Sequence, residues 1–98
     1  MAKVFVSPVR LSWEWYRALS AGEYFEVSLW FSDNLVIPVG TMLATETYCD
    51  FDFTPYPSGR YYWGVRVVVG HVDNGEVVVD GPRSLIGTNR LIHWEPAG

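Results

Sequence analysis

Tyr24-Phe25-Glu26-Val27-Ser28-Leu29-Trp30-Phe31 alternates in character along its length. In an extended chain Phe25, Val27, Leu29 and Phe31 fall on one side and Glu26 and Ser28 on the other, the pattern of a β-strand with one face against a core. A later run, Tyr61 to Val67, repeats it: Tyr61, Trp63, Val65 and Val67 share a face, and Tyr62, Gly64 and Arg66 share the opposite one. Trp30 sits on the side of Glu26 and Ser28, so Trp30 and Tyr62 are expected to point outward.

The same alternation recurs outward from these two runs. Strand-like segments are Val4 to Val6, Val9 to Trp15, Tyr24 to Ser32, Val36 to Leu43, Thr47 to Phe53, Tyr61 to Val72, Glu76 to Asp80 and Arg90 to Trp94. Tyr16 to Ala21 comes nearest to a helix and is too short for one. Turn chemistry separates the runs at Ser7-Pro8, Ala21-Gly22, Ser32-Asp33-Asn34, Pro55 to Gly59, Asp73-Asn74-Gly75 and Gly81-Pro82. Asn74-Gly75 accepts the positive φ of a two-residue hairpin turn, which predicts Val72 opposite Val77 and His71 opposite Val78. Seven or eight short strands at this spacing predict an all-β fold, a two-sheet antiparallel β-sandwich.

The 98 residues suit a single domain spanning 1–98. Apolar residues make up 49% and charged residues 18%, enough for a core without metal or disulfide. A net charge of −4 with seven scattered Lys and Arg argues against nucleic acid. Cys49 is the only cysteine, excluding an internal disulfide, and is expected to be a small buried hydrophobe. No apolar run is long enough for a signal peptide or a membrane span.

Pro8, Leu11-Ser12-Trp13, the Tyr24 to Phe31 run and Pro57-Ser58-Gly59-Arg60-Tyr61-Tyr62-Trp63 before Val65-Arg66-Val67 together resemble the fibronectin type III pattern in its bacterial form. The resemblance covers roughly Pro8 to Trp94 and is shared in part by other immunoglobulin-like families. It implies that Trp13 is the core tryptophan of the second strand and Tyr61 the corner tyrosine, its hydroxyl bonded to upstream backbone. It also implies that the Tyr24 to Phe31 and Tyr61 to Val67 strands are antiparallel neighbours. One register then buries both apolar sets: Val27 opposite Val65, Leu29 opposite Trp63, Phe31 opposite Tyr61 and Phe25 opposite Val67. Outside, Glu26 meets Arg66, Ser28 meets Gly64 and Trp30 meets Tyr62, with a shallow gap over Gly64. The short Gly59 to Tyr61 spacing, the Val-rich hairpin and the irregular Pro82 to Asn89 stretch depart from the pattern.

Chemical constellations are sparse. His71 and His93 lie in different segments with no nucleophile beside them, so no triad forms. Glu46, Asp50 and Asp52 raise a calcium site or a glycosidase pair, but the two aspartates alternate with Cys49, Phe51 and Phe53 as a solvated strand face does. No catalytic, metal or cofactor site is expected, and the chain is read as a non-enzyme. The family implies a spacer or protein-interaction module of a larger extracellular or surface assembly, with neighbouring domains or another protein as partner. Trp30, Tyr62, Glu26 and Arg66 are the expected binding residues, and the hairpin offers weak self-association. A carbohydrate-binding module using exposed aromatics is the alternative.

Overall fold

The structure, a computed structural model, describes residues 2–4, 6–31, 36–84 and 90–96. The expected Ser32-Asp33-Asn34 turn, Phe5, and the 85–89 part of the irregular stretch lie outside the described residues. The described residues form eight strands: β1 (Ala2–Val4), β2 (Val9–Ser12), β3 (Glu23–Phe31), β4 (Gly40–Ala44), β5 (Tyr48–Phe51), β6 (Gly59–Asp73), β7 (Glu76–Pro82) and β8 (Arg90–Trp94). No helix occurs among the described residues.

The strands form two sheets, one ordered β1-β8-β6-β3-β4 with β7 also on β6, the other the pair β2-β5. All pairs are antiparallel except β1 with β8, which run parallel. That pair departs from the all-antiparallel expectation. Parallel neighbours need a long connection, and strands from opposite ends of the chain have one.

β3 and β6 adopt the expected register throughout, with Val27 opposite Val65, Glu26 opposite Arg66 and Trp30 opposite Tyr62. Their inner residues meet Leu11, Cys49 and Phe51 from the smaller sheet, and Phe53 just beyond β5, in one apolar cluster, a sandwich-like arrangement. Trp13 stands edge-on to Phe25 at 5.4 Å and Phe53 edge-on to Tyr61 at 5.8 Å, geometries that aromatic rings favour. Of the residues expected inside, Trp13, Phe25, Val27, Leu29, Cys49, Phe51, Phe53, Tyr61, Trp63, Val65 and Val67 are buried, with Ile92 and Trp94 beside them. Phe31 is the exception: it shares their face, but at the last position of β3 it is 36% exposed. Tyr61 donates its hydroxyl proton to the Pro57 carbonyl, the upstream backbone bond expected of a corner tyrosine.

The β6–β7 hairpin turns at Asn74 and Gly75, with φ of 51° and 78°, and pairs Val72 with Val77 and His71 with Val78. Gly75→Val should therefore loosen it, since a β-branched residue resists positive φ. Hydrogen exchange at the Val72 and Val77 amides is the measurement. Rates as slow as in the parent would refute the role of the turn. Further along, the register shifts between Val69 and Gly70, so that Val69 faces Gly81, Gly70 faces Val79 and Asp80 is the extra residue. A Cβ at Gly70 would stand 2.7 Å from the Val78 carbonyl oxygen, so this bulge needs glycine.

Glu23, which alternation leaves unremarked, is 5% exposed at the start of β3. Arg17 donates to both carboxylate oxygens, at 2.7 and 3.0 Å, and the Ser20 amide adds a bond at 2.7 Å. Arg83 approaches at 3.6 Å. Arg17 above all, then the Ser20 amide, hold this carboxyl at about 2, below its usual 4.5. A lowered folded-state pKa stabilises the fold above the unfolded value, and that contribution drains away as pH falls from 4.5 toward 2. Glu23→Gln should flatten the stability profile across this window in denaturation measured at successive pH values. A slope as steep as the parent's would show that Glu23 is not the group responsible. Asp50 and Asp52, whose carboxyls are also held low, leave a residual slope.

Candidate functional site

The outer face of the larger sheet brings three of the four expected binding residues to one concavity. Arg66 Nε donates to Glu26 Oε1 at 2.7 Å, a cross-strand pair with side chains 32% and 12% exposed. Trp30, Ser28 and Thr41 line the same hollow of about 350 Å³, and Val36 and Pro38 complete it. Tyr62 lies opposite Trp30 and is half-buried, but does not line the hollow.

The expectation that Trp30 is an open ring is corrected: it is only 5% exposed. Its face was read correctly, but its cover was not. After β3 the chain returns so that the Val39 amide donates to the Leu29 carbonyl at 2.7 Å, bringing Val36 and Pro38 to the same hollow as the ring. Ser28, Gly64 and Val68 on this face are buried as well. The expected gap over Gly64 is likewise displaced toward β4, since Thr41 lines the hollow and Gly64 does not.

What remains exposed is the rim. Val36, which lines the hollow with the partly buried ion pair, is 86% exposed, and Ile37, next to it in the chain, is 69% exposed. A partner could cover the apolar pair while hydrogen bonding to the guanidinium and carboxylate already held in place. Pre-organised charges of this kind fix orientation more than they add affinity.

The other groups weighed in the sequence fall elsewhere. Asp50 accepts two bonds from Arg10, at 2.9 and 3.2 Å, which hold its carboxyl low. Asp52 accepts from the Thr54 hydroxyl at 2.7 Å, the Thr54 amide at 3.0 Å and Ser7 at 2.9 Å. No three His, Cys, Asp or Glu among the described residues stand close enough to hold a metal ion. His71 is exposed and bonded to Asp80 at 3.0 Å, while burial pushes the Cys49 thiol up to about 11. No described helix is long and apolar enough to cross a membrane.

No protein-family model, curated protein or solved structure matches the chain.

Proposed function

We propose that this chain is a non-catalytic spacer or protein-interaction module of the fibronectin type III-like, immunoglobulin-like kind, working within a larger extracellular or surface assembly. The order of segments, the Trp13 core position and the Tyr61 bond to Pro57 support the family reading. The observation that carries the interaction reading is the exposed Val36-Ile37 segment, 86% and 69% exposed, whose Val36 lines the hollow that holds the Glu26–Arg66 pair. Exposed apolar side chains at a hollow with fixed charges are better suited to an interface than to solvent.

A photo-crosslinking residue at Ile37, compared with one at Ser12 on the smaller sheet, tests this in the native assembly. One defined adduct is expected from position 37, weakened by Arg66→Glu and absent from position 12. Adducts at both positions, or at neither, would refute the site. The β6–β7 hairpin, with Val72 65% exposed, is a second surface through which copies of the chain associate weakly. Sedimentation over a concentration series reads that association directly.

A further inference from the structure

Away from that rim, the loop between β2 and β3 carries Trp15, partly buried against the core, and beside it Tyr16, whose placement core packing does not explain. Tyr16 is 82% exposed, the most open aromatic ring among the described residues. It lies beside Trp15 with ring centroids 5.6 Å apart and planes tilted by 30°, forming a two-ring platform. Trp15 in turn borders a cleft of about 200 Å³ lined by Trp13, Trp63, Glu14 and Arg90. A second, open depression shares Glu14 and Trp15 and reaches Tyr16, so cleft and platform are continuous.

The cleft lies where β6 changes partner. Among the described residues the pairing with β8 runs as far as Trp63 opposite Arg90 and that with β7 starts at Val68 opposite Pro82, and Gly64 and Val65 between them line the cleft. The loop itself is held firmly. The Trp13 amide donates to the Thr47 carbonyl at 3.0 Å, Trp15 stands edge-on to Phe25 at 5.5 Å, and Arg17 clamps Glu23. Such a platform binds without first having to be ordered.

Charge narrows the ligand. Glu14 and Arg90 place opposite signs on one rim, so neither an anion nor a cation is favoured. Arg90 lies 5.5 Å from the Trp63 centroid and Arg17 5.8 Å from the Tyr16 centroid, so an added cation would meet a like charge at either ring, whereas a neutral ring would not. A purely apolar ligand would strip water from both charges without replacing it. A neutral ring with an apolar C–H face and a hydroxylated edge fits all these conditions. Trp13 and Trp15 also bury indole N–H groups with no acceptor among the described residues, donors that a hydroxyl oxygen would satisfy after a small shift of the rings.

We propose that the Trp15–Tyr16 platform and its adjoining cleft bind neutral oligosaccharides, with successive pyranose faces on the two rings and hydroxyls bonded to Glu14 and Arg90. The test is a titration of the isotope-labelled chain with cellohexaose, xylohexaose, maltohexaose, mannohexaose and chitohexaose, following the tryptophan indole resonances. At least one should shift the Trp15 signal saturably at millimolar concentration. Tyr16→Ala, which removes a solvent-exposed ring and leaves the fold intact, should weaken that binding by roughly tenfold or more. The proposal fails if none of the five sugars shifts the signal or if binding survives Tyr16→Ala unchanged. A stronger response to tetramethylammonium would overturn the ligand class. None of these outcomes bears on crosslinking at Ile37, which reads a different surface.

Discussion

Trp13→Ala should remove about 3–5 kcal/mol of stability, a large part of the 5–15 that holds a domain of this size together. The ring is 9% exposed, stands edge-on to Phe25 and belongs to the cluster that joins the two sheets. Phe25 belongs to β3 and Phe51 to β5, so the cluster that would lose the ring draws on both sheets. The loss comes from packing rather than hydrogen bonding, since the indole N–H has no acceptor among the described residues. Trp13→Phe should accordingly cost much less than Trp13→Ala, as it keeps an aromatic ring and deletes an unsatisfied donor. Denaturant unfolding with an unchanged slope measures both variants. An unmoved midpoint for Trp13→Ala would refute its place in the core.

Trp30→Ala should be nearly as damaging, at about 3–5 kcal/mol, although Trp30 projects from the outer face of its sheet. At 5% exposure its ring is as enclosed as a core residue. Tyr62→Ala, across the strand pair and half-buried, should cost only about 1–2 kcal/mol. Thermal unfolding separates the two, because a loss of 3 kcal/mol lowers the midpoint by more than about 10 °C in a chain this long. If Trp30→Ala melted with the parent, the ring would be peripheral and an open aromatic face would stand after all. The enclosure also means that lost binding in Trp30→Ala would report unfolding. Ile37 and Arg66 are the positions that probe the surface itself.

The faces of β3 and β6 were readable from the chain because strand side chains alternate strictly. Once the two runs are taken as antiparallel neighbours, a slip of one residue would have turned Val27 and Val65 outward. The hairpin was readable for a similarly local reason, since few residues besides Asn and Gly accept φ of 51° and 78° in succession. Cys49, Phe51 and Phe53 declared their burial by alternating with Asp50 and Asp52, and the pairing of Asp50 with Arg10 accords with a solvated face.

Alternation names the side a residue takes and is silent on what lies over that side. Trp30, Ser28 and Val68 are therefore buried on the face read as open, where the returning chain brings Val36 and Pro38 beside Trp30. Glu23 was invisible because alternation along a strand does not extend into the loop before it. Its main partners Arg17 and Ser20 lie within six residues of it, but in a loop without alternation to assign their directions, and Arg83 joins from the segment after β7. The parallel pairing of β1 with β8 joins segments far apart in the sequence, and the bulge at Asp80 depends on Gly70 having no Cβ to meet the Val78 carbonyl. Trp15 and Tyr16 part company where β2 ends at Ser12: one ring turns to Phe25 and the other to solvent. Period-two alternation along a strand determined which way each side chain points, and only contacts between distant segments decided which of those directions met water.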